Sequence, residues 1–177
     1  MKKLYVVGNK VSKSLSPTIF NYWFKKYNIK ASYGYLELTE KNFHKKIKEV
    51  LEKKDTLGLN VTIPFKNKII KHLEKIDTHA KKIGAVNCVI NKKTINGTNT
   101  DWTGYYKTLP NIKKTKNRKV IILGYGGASH AIHYVLKKRG FKDILIFNRS
   151  KKKIKYSKNT EYTKKYSDLE THLEGVF

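Results

Sequence analysis

The sequence predicts an α/β protein in two parts, with a mostly parallel sheet in the N-terminal part. Three observations support this prediction. From Lys3 onward, short apolar runs alternate with amphipathic stretches, a pattern typical of strands joined by crossover helices. A polar, lysine-rich stretch from Pro110 to Arg118 interrupts the alternation like a linker. After it a strand, a glycine turn and a helix follow one another directly, which indicates a second α/β unit.

The N-terminal elements follow in chain order. The runs "KLYVVG", "YGYLEL" and "GLNVTIPFK" predict strands, and "PTIFNYWFKKYN" and "EKNFHKKIKEVLEKK" predict helices. In the second helix Phe43, Ile47, Val50 and Leu51 share one face, as a helix that packs on a sheet requires. We expect a further helix around "NKIIKHLEK", a strand in "GAVNCVI" that ends in a turn, and a helix that begins near Asp101.

The second part is "KVIILGYGGASHAIHYVLKKRGFKDILIFNRS", which predicts a strand, a glycine turn, a helix that ends near Gly140, and a second strand. Gly124, Gly126 and Gly127 have no Cβ, so a pyrophosphate can approach the backbone N–H groups where the helix begins. The strand before this turn and the helix after it favour a dinucleotide site over a structural turn.

The end of the second strand indicates which dinucleotide binds. Sites for NAD usually place an acidic residue there, but this chain has Asn148, Arg149, Ser150 and Lys153. Cationic and hydroxyl groups suit a 2′-phosphate, so NADP is the expected cofactor. The alternative is an ordinary helix start with Ser150 as its N-cap.

Composition limits the class of protein. The chain has 177 residues, of which 39% are hydrophobic and 12% aromatic, enough for a packed core. The net charge is +26, but its carriers are lysines spread along the chain, with arginine only at 118, 139 and 149. Specific readers of nucleic acid rely on arginine, so we expect a solvated surface and no specific nucleic-acid partner.

No apolar run approaches the roughly 18 residues of a membrane span. The apolar segment within "MKKLYVVGNK" is too short for a signal peptide. The expected location is therefore the cytoplasm, with no membrane partner. Cys88 is the single cysteine, so no internal disulfide forms and we interpret it as a small buried side chain. No metal site is predicted.

Polar residues in the first part indicate a ligand site. Ser16 and Pro17 suit a helix start, with Ser16 as N-cap, so the hydroxyls of Ser14 and Ser16 would gather near a positive helix end that suits a carboxylate. Capping alone is the alternative. Asn60, Thr62 and Lys66 lie within or after a strand, where each needs a partner from the protein or from a ligand.

Taken together, "VVGNKVSKSLSPTIFN", "GLNVTIPFK", "GAVN", "INGTNTDWTG", "GYGGASHA" and "NRS" resemble the shikimate dehydrogenase family, from residue 4 to about residue 153. The resemblance implies a substrate domain over residues 1–101, a connecting helix and linker over 102–118, and the first part of a Rossmann-type NADP-binding domain over 119–177. It also implies an oxidoreductase that reduces 3-dehydroshikimate to shikimate with NADPH, in the chorismate pathway of aromatic amino-acid biosynthesis.

The resemblance also assigns roles to residues. Ser14 and Ser16 would bind the substrate carboxylate, and Asn60, Thr62, Asn87 and Asp101 the ring hydroxyls. Lys66 would be the catalytic lysine, oriented by Asp101, because hydride addition to a ketone leaves an oxygen that needs a proton. In isolation, residues such as Asn87 and Asp101 are more often turn or cap residues than ligands. The expected cofactor residues are Gly124, Gly126, Gly127, Ala128, Asn148, Arg149, Ser150 and Lys153.

The chain departs from the family in several places. Lys13 stands where the family commonly has His, His130 replaces a common Arg, and Cys88 a common Thr. Family members continue beyond the point that corresponds to Phe177, with a substrate-contacting glutamine there, and this chain contains no glutamine. The alternatives are thus a truncated, non-catalytic fragment that binds shikimate or NADP, a broader quinate/shikimate dehydrogenase, or a basic nucleic-acid binder. An open sheet edge would favour association with another chain.

Overall fold

The computed structural model describes residues 1–109, 119–154 and 163–172. The chain divides into two compact units, Met1–Thr100 and Asp101–Phe177. The linker expected at residues 110–118 lies outside the described residues, as does the end of the chain from residue 173.

The first unit contains six strands, three α-helices and one 3₁₀ helix. In chain order they are β1 (Lys2–Gly8), α1 (Ser16–Lys26), β2 (Ala31–Glu37), α2 (Phe43–Leu51), β3 (Thr56–Val61), a 3₁₀ helix (Lys68–His72), β4 (Lys75–Ile76), α3 (Thr78–Ile83), β5 (Cys88–Asn91) and β6 (Ile95–Thr98). The six strands form one sheet in the order β2-β1-β3-β5-β6-β4.

The sheet is mostly parallel, as the sequence predicts. Strand β1 pairs in parallel with both β2 and β3, and β4 pairs in parallel with β6. The antiparallel ladder from β3 through β5 to β6 was not expected from the sequence. Because β5 runs against β3, its first residues lie at the edge of the sheet where β1 and β3 end.

The main core of this unit lies between α2 and the sheet. Phe43 and Ile47 are fully buried, and Val50 and Leu51 are buried beside them, which confirms the predicted helical face. Phe43 stacks on Phe65, with the ring centroids 4.2 Å apart. Burial of these large side chains is the principal term that favours folding of the unit.

Two local predictions are wrong. The helix expected around "NKIIKHLEK" is only the 3₁₀ helix Lys68–His72, because Lys75 and Ile76 pair with β6 and draw the end of the stretch into the sheet. At the start of α1 the N-cap is Leu15 and not Ser16. The Ser16 N–H donates instead to Ser14 Oγ at 3.2 Å, so Ser14 supplies the partner at this helix end.

The second unit begins with α4 (Asp101–Thr108), where the sequence predicts a helix start. Its parallel pair, β7 (Val120–Leu123) and β8 (Ile144–Phe147), is joined by α5 (Gly127–Lys138). Short 3₁₀ helices follow at Tyr166–Asp168 and Glu170–His172. The order strand, turn, helix and parallel strand is the predicted beginning of a dinucleotide-binding fold.

Within the described ranges, no helix is long and apolar enough to cross a membrane. The same residues contain no group of three or more His, Cys, Asp or Glu side chains that would hold a metal ion.

Candidate functional site

A pocket of about 500 Å³ opens where β1 and β3 end. Crevices at the carboxyl ends of parallel strands are the usual ligand sites of open α/β sheets. The pocket walls contain all the substrate-binding candidates of the first unit: Ser14, Ser16, Asn60, Thr62, Lys66 and Asn87. Residues far apart in the chain are thus gathered around one cavity.

The loop after β1 supplies the two hydroxyls. Ser14 Oγ donates to Ser16 Oγ at 3.1 Å, and both residues are half-buried at the beginning of α1. The first turn of α1 contains no acidic side chain. The hydroxyl pair therefore lies at the positive end of a helix dipole, where a carboxylate is stabilised.

Residues of β2 hold this loop in place. Glu37 Oε2 accepts hydrogen bonds from the backbone N–H groups of Val11 at 2.9 Å and Ser12 at 3.1 Å. The bonds to Ser12 and Val11 lower the pKa of the Glu37 carboxyl. Tyr35 Oη donates to the carbonyl oxygen of Ser14 at 3.3 Å. The loop shape is therefore set by β2 and not only by its own sequence.

A tyrosine orients Asn60. Tyr33 Oη donates to Asn60 Oδ1 at 2.6 Å, and Phe20 stacks on the Tyr33 ring with centroids 4.7 Å apart. Burial raises the pKa of the Tyr33 phenol to about 12, so the hydroxyl remains a donor at physiological pH. With its oxygen engaged, the Asn60 amide presents its nitrogen to a further partner.

The segment after β3 carries Thr62 and Lys66. The Thr62 N–H donates to the Val7 carbonyl oxygen at 2.8 Å, and the Phe65 N–H donates to the Thr62 carbonyl oxygen at 2.9 Å. The Val86 N–H donates to the carbonyl oxygen of Lys66 at 2.8 Å. These bonds fix the backbone of Lys66 at the edge of the sheet. Its bonding partner there, Val86, directly precedes Asn87.

Asn87 forms a tight polar pair with Thr100. Its Oδ1 accepts from the Thr100 N–H at 2.8 Å, and its Nδ2 donates to Thr100 Oγ1 at 2.9 Å. Its backbone carbonyl accepts from the Val61 N–H at 2.8 Å. Asn87 thus has a turn role and also lines the pocket, so the two sequence interpretations are compatible. Asp101 begins α4 in the second unit, and its catalytic role remains a prediction.

Sequence reasoning missed several residues of this pocket. Lys10 and Lys13 line it together with Lys66, and none of its wall residues is acidic. Three residues of β2 do not line the pocket but form hydrogen bonds to residues that do: Tyr33, Tyr35 and Glu37. The available signal was position: Glu37 ends β2 next to Gly8 of β1, at the edge where the predicted ligand residues lie.

In the second unit, the glycine turn has the geometry that a phosphate group needs. Gly124 has φ +95°, a conformation that favours glycine. Gly126 is the N-cap of α5, and its N–H donates to Ser129 Oγ at 2.9 Å. A Cβ on Gly126 would have no atom within 4 Å. Open space at a helix start without acidic residues in its first turn suits an anion.

Asn148 connects the end of β8 to this turn. Its Oδ1 accepts from the Tyr125 N–H at 3.1 Å, and its Nδ2 donates to the Ser150 carbonyl oxygen at 2.8 Å. Arg149, Ser150 and Lys153 are exposed beyond it. Residues 151–154 are not helical, so the alternative of a helix start capped by Ser150 is wrong.

Several known proteins are similar to this chain in sequence. Residues 6–89 match the family described as the shikimate dehydrogenase substrate binding domain. The shikimate dehydrogenase of Thermotoga petrophila is 38% identical over 148 residues, which cover 84% of this chain and 55% of that protein. The shikimate dehydrogenase (NADP(+)) of Bacillus cereus is 38% identical over 159 residues, which cover 88% of this chain and 57% of that protein. The chain spans little more than half the length of these relatives.

Solved structures of shikimate dehydrogenases are also similar to this chain. The crystal structure of shikimate dehydrogenase from Thermotoga maritima matches with a TM-score of 0.81 at 32% identity, over 97% of this chain and 65% of that one. The Thermus thermophilus enzyme, solved in complex with NADP(H) and shikimate, matches with a TM-score of 0.70 at 28% identity. That match covers 85% of this chain and 57% of the other.

Proposed function

We propose that the chain belongs to the shikimate dehydrogenase family, whose substrate binding domain matches residues 6–89. On this proposal the first unit binds shikimate and 3-dehydroshikimate, and the second unit binds NADP. The reaction is the NADPH-dependent reduction of 3-dehydroshikimate to shikimate, in aromatic amino-acid biosynthesis. One observation supports the substrate assignment above the others: six side chains of the matching motifs line a single pocket.

The pocket supplies complementary groups for a hydroxylated ring acid. The Ser14 and Ser16 hydroxyls, at the start of α1, receive the carboxylate. The amides of Asn60 and Asn87 and the hydroxyl of Thr62 are suited to ring hydroxyls, because each offers donors and acceptors. The backbone and side-chain bonds behind these residues hold them in place before the ligand arrives, which reduces the ordering cost of binding.

Lys66 acts as the general acid and base of the reaction. NADPH, when bound, supplies the hydride that reduces the ring ketone. The Lys66 ammonium donates a proton to the ring oxygen as negative charge develops there, and in the reverse direction the neutral amine removes it.

The glycine turn fits the cofactor. Gly124, Gly126, Gly127 and Ala128 would hold the pyrophosphate at the start of α5, where a Cβ on Gly126 would meet no atom within 4 Å. Arg149, Ser150 and Lys153 would hold the 2′-phosphate, while Asn148 braces the turn. The cationic side chains favour NADP over NAD because the 2′-phosphate carries the charge that distinguishes the two.

The test is the appearance of NADPH absorbance when the chain is mixed with shikimate and NADP⁺. Lys66→Ala should abolish turnover, whereas Lys71→Ala, at an exposed lysine of the neighbouring 3₁₀ helix, should leave it unchanged. Equal rates for the Lys66→Ala variant and the original chain would contradict the role of Lys66. Quinate in place of shikimate tests the broader substrate range.

A second candidate function is binding of shikimate or NADP without turnover. Calorimetric binding of shikimate with no NADPH formation would select it. We also propose a cytoplasmic location, and association with another chain through the edge of β7 that pairs with no strand of the described residues.

A further inference from the structure

We propose that Lys10 and Lys13 form a second anion-binding position in the pocket of the first unit. The pocket would then bind ring acids that carry a second anionic group, such as a phosphate monoester, more tightly than a simple monocarboxylate. This inference rests on the proposed function, because it takes the Ser14 and Ser16 hydroxyls as the position of the first carboxylate.

The charge of the pocket wall is the first argument. Lys10, Lys13 and Lys66 all line the cavity, and no wall residue is acidic. Among the ion pairs of the described part of the chain, none includes Lys10 or Lys13. A single carboxylate neutralises only one positive charge, so a ligand with a second anionic group is the better electrostatic match.

Glu37 is the carboxylate that lies behind this loop, and it compensates the lysines only in part. Its Oε2 is engaged by the N–H groups of Val11 and Ser12. The positive charge of Lys10 also lowers the pKa of Glu37, although less than those hydrogen bonds do. Glu37 therefore offsets some of the charge of Lys10, and Lys13 carries the larger uncompensated charge.

The backbone that carries the two lysines is fixed. Val11, between them in sequence, is 3% exposed and anchors the loop in the core. The Asn9 N–H donates to the Ile63 carbonyl oxygen at 3.2 Å, and the Ser14 N–H donates to the Val11 carbonyl oxygen at 2.9 Å. The flexible four-carbon side chains of the lysines are then what a ligand has to order.

The general positive charge of the protein does not explain such a preference. A net charge of +26 attracts any anion, but this attraction is long-range and is screened by salt. A local subsite instead depends on two particular lysines beside the hydroxyl pair. Replacement of a lysine outside the pocket, such as Lys82 in α3, therefore provides the matched control.

The experiment compares the calorimetric dissociation constants of shikimate and shikimate 3-phosphate at a moderate, fixed salt concentration. We expect the phosphorylated acid to bind about tenfold more tightly to the full chain, as one added charge-assisted hydrogen bond allows. In the double variant Lys10→Gln/Lys13→Gln the ratio should fall to about one, and in Lys82→Gln it should persist. Circular dichroism confirms that each variant is folded.

Three results would overturn the inference. A ratio near one in the original chain removes the second position, while shikimate binding leaves the proposed function intact. Equal weakening of both acids in the double variant means that the lysines only reinforce the carboxylate position. Failure of both acids to bind overturns the inference and the proposed function together.

Discussion

Tyr33 Oη donates a 2.6 Å hydrogen bond to Asn60 Oδ1, across the intervening strand β1. Tyr33 lies on β2 beside Leu4 of β1, and Asn60 lies on β3 beside Val6. A polar residue within a largely apolar strand thus has one partner from the protein and still lines the pocket. The protein orients the amide and leaves its other end for a ligand.

Tyr33→Phe should weaken shikimate binding about fivefold, because the loss of one hydrogen bond costs about 1 kcal/mol and leaves the Asn60 amide free to rotate. The ring still stacks on Phe20, so the fold is retained. Isothermal titration calorimetry measures the effect. Tyr22→Phe, at an exposed tyrosine of α1, is the control. Unchanged affinity in the Tyr33→Phe variant would show that Asn60 does not need this bond.

Gly8→Ala should deform the pocket. The new Cβ would lie 2.5 Å from Val11 Cγ1 and 2.7 Å from Thr62 Cγ2, so the loop or the segment after β3 must move. We expect a loss of about 1–3 kcal/mol in the free energy of unfolding, as for other overpacked sites, and weaker shikimate binding. Chemical denaturation and calorimetry test both effects.

Gly104→Ala is the matched control for Gly8→Ala. A Cβ on Gly104 meets no atom within 4 Å, and alanine is the better helix former by about 1 kcal/mol. This variant should be at least as stable as the original chain and should bind shikimate equally well. If Gly8→Ala behaved in the same way, the close packing around Gly8 would not matter to the pocket.

Protonation of Glu37 should loosen the pocket loop at acidic pH. Because hydrogen bonds from Ser12 and Val11 lower its pKa below the ordinary value of 4.5, the carboxylate stabilises the folded loop above that pH. This contribution is lost as the pH falls through the lowered pKa. The amide NMR shifts of Val11 and Ser12 should therefore titrate with a midpoint below 4.5.

Glu37→Gln should abolish this titration, whereas Glu49→Gln should leave it in place. Glu49 also has a lowered pKa, mainly through its bond to Lys46, but it lies on α2 and does not contact the loop's N–H groups. A midpoint at or above the ordinary glutamate pKa would contradict the role assigned to Glu37.

Gly126→Ala should separate cofactor binding from folding. The new Cβ would enter open space, and alanine readily adopts the φ of −103° at this position. The free energy of unfolding should therefore change by less than about 0.5 kcal/mol. A pyrophosphate at the start of α5 would meet that Cβ, and NADP affinity should fall about tenfold or more. Calorimetric binding of NADP equal to that of the original chain would place the phosphates elsewhere.

The sequence predicted the strongly periodic elements and not those set by distant pairing. The helical face of Phe43 and Ile47 follows from spacing alone. In contrast, the strand at Lys75 and Ile76 exists only because it pairs with β6, and no local pattern indicates it. A resemblance of motifs was needed to select the pocket residues, because Asn87 alone is indistinguishable from a turn residue.

The supporting residues escaped prediction for a similar reason. Tyr33 and Glu37 act through hydrogen bonds across neighbouring strands, and strand order is not visible in the sequence. Lys10 could not be distinguished from many other lysines, and Lys13 was noted only as a departure from the family. The fold distinguishes a lysine of the pocket wall from one on the open surface.

The most direct test of the central claim is a titration of the ¹⁵N-labelled chain with shikimate, followed by amide NMR. The proposed site predicts saturable shifts concentrated at the pocket-wall residues Ser14, Ser16, Asn60, Thr62, Lys66 and Asn87, with much smaller shifts around Lys75 and Ile90, which line a different cavity. Shifts that do not saturate, or that concentrate away from the pocket, would contradict the assignment of this pocket as the shikimate site.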